Sequence, residues 1–528
     1  MPRAASEQTP DLPMTIPAVL DRAAALFGDR EGLVEPERRL TFAELAAEVD
    51  VAARALVASG VERGDRVAVW GPNIGEWVVA ALAVHRVGGV LVTLNTRFKG
   101  AEAGHVLRTA GASMLFAVTD FLGTDYVALL DGVDGLSLRE TIAMRGPARG
   151  GATAWAEFLA RASSTDPAVT AARAAAVVPA DPCDILFTSG TTGAPKGAVL
   201  AHGASVRAYD AWSSVVGLRP GDRYLVVNPF FHSFGLKAGI LASLVKGATI
   251  VPQLTFDVPE VMRRIPEERI TMLPGPPTIY QTILNAPDLA EHDLSSLRLA
   301  VTGAAAIPVE LIRRMRDELG FETVVTGYGL TEATGIATMC RHTDDAETIA
   351  TTSGRAIPGV EVVVADEAGS PRPAGEPGEV LVRGYNVMLG YHGDAEATEK
   401  AIDADGWLHT GDIGVLDAAG NLRITDRLKD MFIVGGFNAY PAEIENTISA
   451  HPAVAQVAVV GVPDERMGEV GMAFVIPRTG AEVDPAELIS WCRERMANYK
   501  VPRRVEVVES LPTNAGGKVL KYELRARA

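Results

Sequence analysis

Between Thr188 and Gly197 the chain reads T-S-G-T-T-G-A-P-K-G. Glycines at 190, 193 and 197 open backbone conformations closed to other residues and let main-chain N–H groups approach an anion. Thr188, Ser189, Thr191 and Thr192 add hydroxyls and Lys196 an ammonium, so the segment offers a surface suited to phosphate. The spacing is not that of G-x-x-x-x-G-K-[ST]: Pro195 precedes the lysine and a glycine follows it, which disfavours a Walker-type NTPase. A plain polar Gly/Ser/Thr surface loop is the competing reading, and the commoner one for loops of this composition. The preceding run Asp184-Ile-Leu-Phe187 reads as a buried strand, which would bring the loop out at a strand end beside a ligand crevice.

Further strings with chemical potential follow in order. Pro229-Phe-Phe-His232-Ser-Phe-Gly235 sets an imidazole among aromatics, where a core histidine is the more usual outcome. Thr302-Gly303-Ala304-Ala305-Ala306 is a small-residue turn after a strand, equally suited to close packing or to a flat wall. Gly327-Tyr328-Gly329-Leu-Thr331-Glu332 is more specific. Tyrosine can stack on a purine, a hydroxyl can bond phosphate, and a carboxylate can help hold Mg2+, a hard ion that prefers oxygen. Asp412, in G-W-L-H-T-G-D, is suited to ribose hydroxyls, although a surface Asp in a Gly-rich turn competes. Arg427 could reach the same sugar or remain solvated at a strand end. Gly435-Gly436 offers backbone without bulk, for a narrow passage or a tight turn. Lys518, in N-A-G-G-K, carries an ammonium near the C-terminus, where most lysines are inert surface.

Each string is weak alone, but in this order they closely resemble the motif series of the adenylate-forming superfamily, which includes acyl-CoA synthetases, nonribosomal adenylation domains and luciferases. The resemblance covers nearly the whole chain. It implies an ATP-dependent acid–thiol ligase using ATP, Mg2+ and coenzyme A, with a small-molecule carboxylic acid as substrate. Residue by residue it implies that Thr188 to Lys196 clasp pyrophosphate, that Gly303, Ala304, Ala305 and Tyr328 face adenine, and that Thr331 touches phosphate. It further implies that Glu332 binds the metal, Asp412 and Arg427 hold ribose, His232 lies beside the acyl carboxylate, Gly435 and Gly436 admit pantetheine, and Lys518 serves catalysis. Thr326 departs from the residue many members carry, leaving the adenine contacts open. The strings N-P-F-F-H-S-F-G-L-K-A-G-I-L and L-P-G-P-P-T-I-Y-Q resemble ligases that activate a bicyclic indane-dione propanoate from sterol ring degradation. His232, Phe234, Lys237, Pro274 to Thr278 and Gly303 are then expected to line the acyl pocket. A medium-chain fatty or aromatic acid is the alternative substrate, and a luciferase-like monooxygenase the alternative enzyme.

The elements that must position these groups alternate helix and strand. Thr41-Phe-Ala-Glu44 has capping-box form ahead of the periodic Leu45 to Leu56, and Asn73 is placed to cap a helix through Trp77. Short apolar runs at 67–70, 90–94 and 113–118 favour a layered α/β domain with mostly parallel strands. Residues 120–170 read as helix and loop. Alternation resumes between 221 and 358, with strands at 224–227, 249–251, 272–273, 299–302 and 323–327. After Arg355 short strands at 360–365, 379–382 and 421–424 suggest a small β subdomain, and an α+β unit follows. The expected organisation is an N-terminal domain over 1–425, a hinge at 426–429 containing Lys429, and a mobile C-terminal domain over 430–528.

Length, at 528 residues, requires more than one core, and a net charge of −17 without a block of Lys/Arg gives no nucleic-acid footprint. Cys183, Cys340 and Cys492 are isolated thiols, pointing to a reducing compartment and no structural metal. The N-terminal residues lack the apolar core of a signal peptide, and the run Trp77 to Leu94 is too interrupted to span a membrane. A cytoplasmic protein is expected. A homodimer is compatible with the sequence, which is silent on oligomeric state.

Overall fold

In the computed structural model the chain is described at residues 9–188, 195–302, 307–366, 368–427, 430–434, 437–464, 467–496, 498–513 and 519–528, with side chains at 426, 427, 433, 437 and 438 set aside. The described residues form two compact units, one of 1–362 with 382–408 and the other of 363–381 with 409–528. Residues 409–425 therefore cluster with the second unit, whereas the texture of the sequence drew its line at 425.

The first unit is built on an eight-stranded sheet running Gly390–Tyr391, Lys196–Ala201, Pro182–Thr188, Val90–Thr93, Arg66–Trp70, Met114–Val118, Glu140–Arg145 and Thr153–Ala154. From Pro182–Thr188 outward to Thr153–Ala154 the neighbours are parallel, while Lys196–Ala201 is antiparallel to both Pro182–Thr188 and Gly390–Tyr391. The central strands are buried along their length, as the unbroken apolar runs require. Helix Gly75–Arg86 is apolar on nearly every face and is buried from Trp77 to His85, the pattern of a helix enclosed between layers. A second parallel set pairs Arg223–Val226 with Thr249–Pro252, and Leu299–Thr302 with Thr323–Tyr328; residue 272 bridges Tyr224 and Leu299. The first helix after the hairpin, Phe42–Ala58, has the expected capping box between Thr41 and Glu44.

Two expectations fail. The stretch read as helix and loop contains the strand Glu140–Arg145, parallel to Met114–Val118; its polar ends, Glu140 and Arg145, hid the short apolar centre. Asn73 is not a helix cap, because Ile74 occupies the N-cap position and the Asn73 amide is used elsewhere.

The second unit carries the antiparallel pair Leu408–Leu416 and Leu422–Arg427 and, further along, the long hairpin Val454–Asp464 with Gly468–Pro477, to which Arg504–Val507 adds in parallel. Helices Pro441–Ser449 and Pro485–Arg493 supply Ile444, Ile448, Leu488 and Cys492 to the core on one face of that hairpin.

Helix His202–Val216 begins on a buried histidine whose Nδ1 accepts from the Ile16 amide at 3.3 Å. Burial lowers the His202 pKa from 6.5 to about 3, so between those values the unfolded chain binds a proton the native chain refuses. Stability from this group is complete above its unfolded pKa and is lost as pH falls towards 3. Urea unfolding from about pH 7 to about pH 4 is expected to show this decline, and His202→Gln to flatten it.

Candidate active site

The strand Pro182–Thr188 ends at Thr188, which pairs in register with Lys196 on the returning strand. Its hydroxyl donates to Glu332 Oε1 at 3.3 Å, and the Tyr391 hydroxyl donates to the same oxygen at 2.9 Å. Lys196 Nζ stands 5.2 Å from the centre of the Tyr391 ring, within cation–π range. The foot of the phosphate-type loop, the Glu332 carboxylate, an ammonium and a phenol are thus gathered at one sheet end. Burial, then the Glu332 charge, pushes the Tyr391 phenol well above its ordinary pKa, so it stays a donor.

Glu332 lies on the short 3-10 turn Thr331–Ala333 that follows the strand Thr323–Tyr328. Its main-chain carbonyl accepts from the Met388 amide at 2.8 Å, and Thr334, at φ 56°, donates from its hydroxyl to Asn386 O at 2.6 Å. The turn is closed by Gly335, whose amide donates to Leu330 O. Gly335 has φ +88°, and a Cβ there would stand 2.6 Å from the Tyr209 hydroxyl and 2.9 Å from Ser233 Oγ. That missing side chain is what lets the Glu332 turn lie against the His232 segment. Gly335→Ala is expected to destabilise the protein by about 1–3 kcal/mol through overpacking and left-handed strain. Urea unfolding measures it, and acid-dependent turnover should fall with it.

The His232 segment is held from below by Asn73. The Asn73 amide donates to Val226 O at 3.0 Å and Asn228 O at 2.9 Å, and its oxygen accepts from Phe230 N at 2.8 Å. Phe230 is fully buried with its ring 5.4 Å from that of Trp77. His232 is exposed to solvent yet ringed by enough protein for burial to lower its pKa, the combination expected of a cleft wall. Its Nδ1 accepts from the Phe234 amide at 3.2 Å, which leaves the proton of the neutral ring on Nε2. The next residues form a π-helix, Phe234–Leu241, a wide-turn element often found at functional sites. Gly235 is needed at its start, because a Cβ would lie 2.1 Å from Pro229 O.

Lys237 was expected on the acyl pocket wall. It is fully buried instead, ion-paired with the equally buried Asp184. Its ammonium also donates to Ser205 Oγ at 3.0 Å and meets Cys183 Sγ at 3.6 Å, and Asp184 Oδ1 bonds His85 Nε2 at 3.0 Å. Thr302, the last residue of its strand, lies opposite Thr326 on the parallel strand Thr323–Tyr328, and Thr302 Oγ1 is buried without a hydrogen-bond partner among the described residues. Tyr328 ends the same strand, pairing with Thr338.

In the second unit Asp412 is buried and sits opposite Arg427 in the antiparallel pair, with its backbone amide donating to Thr410 Oγ1 at 3.1 Å. Asp426 and Arg427 close the strand Leu422–Arg427; Lys429 lies outside the described residues. So do Ser189, Gly190, Thr191, Thr192, Gly193, Gly303, Ala304, Ala305, Gly435, Gly436 and Lys518. Of the expected groups, then, Thr188, Lys196, Thr331 and Glu332 come together, with His232 linked to them through Ser233 and Gly335. Tyr391 and Asn73 were missed. An Asn after Pro in G-P-N-I and a lone Tyr in G-Y-H-G carry no local signal of such roles.

Residues 20–392 match the family model of AMP-binding enzymes, and residues 443–518 that of the AMP-binding enzyme C-terminal domain. The chain belongs to the AMP-binding enzyme family, the adenylate-forming superfamily. Within that family it is an AMP-forming acyl-CoA synthetase. It is 53% identical, over 97% of its length and 98% of the relative's, to 3-[(3aS,4S,7aS)-7a-methyl-1,5-dioxo-octahydro-1H-inden-4-yl]propanoyl:CoA ligase of Mycobacterium tuberculosis. Identity to the ligase of the same name from Rhodococcus jostii is 50%, over 97% of this chain and 98% of that one. Among solved structures, an anthranilate CoA ligase in complex with anthranoyl-AMP superposes with a TM-score of 0.85 at 30% identity, covering 99% of both chains. ATP-bound MatB from Rhodopseudomonas palustris gives 0.84 at 30% identity, covering 97% of this chain and 98% of that one. No described helix is long and apolar enough to cross a membrane.

Proposed function

We propose that this ligase activates the bicyclic 7a-methyl-1,5-dioxo-octahydroindenyl propanoate and transfers it to coenzyme A. The observation that carries the substrate is the 53% identity, end to end, with a ligase named for that acid. In the first half-reaction a carboxylate oxygen of the acid attacks the α-phosphorus of ATP and pyrophosphate leaves. In the second the coenzyme A thiolate attacks the acyl carbon and AMP leaves.

Both reactants of the first step are anions, so the chain's task is positioning and charge stabilisation. On this reading Thr188 to Lys196, including Ser189, Gly190, Thr191, Thr192 and Gly193, hold the departing phosphates. Thr331 bonds a phosphate oxygen, and Tyr328 with Gly303, Ala304 and Ala305 encloses adenine. Asp412 and Arg427 hold ribose, Gly435 and Gly436 pass pantetheine, and His232, neutral with a proton on Nε2, donates towards the acyl carboxylate. Lys518 supplies the ammonium that meets the transferring charge. The donor set around Glu332 fits Mg2+: one carboxylate with hydroxyl oxygens beside it. That is what a hard ion shared between one carboxylate and substrate phosphates asks for. When bound it would neutralise phosphate charge.

Acid-dependent ATP–pyrophosphate exchange and AMP release, with and without coenzyme A, test the reading. The bicyclic propanoate should give the highest kcat/KM, ahead of octanoate and of benzoate. A higher value for either of those would replace the substrate, and AMP release insensitive to coenzyme A would remove the thiol acceptor.

Coenzyme A must reach the acyl carbon where pyrophosphate left, which supports a second orientation of the C-terminal domain, 430–528, pivoting at 426–429. Lys429→Pro fixes φ at the pivot and should block thioester formation by tenfold or more while leaving exchange near wild type. Equal loss of both half-reactions, measured by exchange and by thioester yield, would count against the pivot.

A further inference from the structure

The Lys237–Asp184 pair is a buried ion pair of the first unit that the reaction as described does not use. Both side chains are fully buried, at 0% exposure. Lys237 has its three donors directed at Asp184, Ser205 and Cys183, and Asp184 also accepts from His85 and from the Cys183 thiol at 2.7 Å. Replacing such a pair by apolar side chains of similar volume is commonly neutral or stabilising, so stability does not account for it.

Its placement suggests another role. Asp184 lies on the strand that ends at Thr188, and Lys237 lies in the π-helix that begins two residues after His232. The amide of Ala242 donates to Lys237 O, five residues back, so the lysine opens the last wide turn of the element. A wide turn competes with the ordinary helical register, in which residue 237 would point elsewhere on the helix surface. An ammonium with three fixed acceptors selects one register, as buried polar groups can. We propose that Lys237 and Asp184 are positioning residues for acid activation: by locking the π-helix to the strand below the phosphate loop, they set where the His232 ring stands relative to Thr188 and Glu332. This rests on the acid-activating reading given above.

The test uses the full chain and acid-dependent pyrophosphate exchange with the bicyclic indane-dione propanoate. The paired substitution Lys237→Met with Asp184→Asn removes both charges together and nearly keeps the volume. It is expected to raise the KM for the acid or lower kcat at least tenfold in combination, while the KM for ATP stays within twofold and the melting temperature stays near wild type. In a His232→Ala background the same pair should cost less than twofold, because the ring it places is gone. Wild-type constants in the paired variant would overturn the proposal, as would equal losses in both backgrounds with a parallel rise in the KM for ATP. Should the paired variant fail to fold, Ser205→Ala decides: a threefold or greater rise in the KM for the acid alone supports positioning, and no change refutes it. Absence of exchange in the wild-type protein would instead strike the acid-activating reading itself.

Discussion

Glu332→Gln should lower acid-dependent pyrophosphate exchange by about 100- to 1,000-fold, the usual effect of removing one group aimed at charge that develops in a transition state. Glutamine keeps an oxygen for the Thr188 and Tyr391 hydroxyls, which both donate to Glu332 Oε1, so the turn should fold as before. What is lost is the negative charge. The Mg2+ concentration giving half-maximal exchange should therefore rise, and the melting temperature should not move. Exchange at the wild-type rate and the wild-type Mg2+ dependence would take Glu332 out of the reaction.

Lys518→Ala is expected to be as severe and more selective. On the proposed mechanism the ammonium meets the charge that passes from carboxylate to pyrophosphate, so its loss should cost about 3–4 kcal/mol in adenylation. Thioester formation from supplied acyl-adenylate and coenzyme A needs no such charge and should remain within a few fold. Measuring both half-reactions on one preparation separates this from general damage, which would lower them together. Exchange unaffected by the substitution would assign that charge to another group.

The parts of the site readable in advance were those whose meaning is local. Gly-Tyr-Gly-Leu-Thr-Glu announces a turn that presents a hydroxyl and a carboxylate, and that turn exists at Thr331–Ala333. The α/β layering was legible for the same reason: continuous apolar runs make buried strands wherever they fall. Tyr391 escaped notice because its strand is two residues long and its partner, Glu332, is 59 positions away. Lys237 was misjudged because a lysine in an apolar run looks like a group reaching for ligand; the carboxylate that neutralises it stands 53 residues earlier. In Glu140–Arg145 the polar ends serve an ion pair, Glu140 with Arg161, and a contact of Arg145 with Glu35 and Glu76, and so the strand showed no period.

The Asn73 amide bears on the order in which this protein assembles. Its partners Val226, Asn228 and Phe230 lie 153, 155 and 157 residues away, so the bend that carries His232 is moulded on a part far from it along the chain. Closing so long an interval costs entropy that local contacts cannot repay early. The βα layer that holds Asn73 is the template for that bend, and the bend is expected to set late in folding. Only a group with two protons to give and a lone pair to take can fill that role, so aspartate at the same place would face two carbonyl oxygens with nothing to offer them.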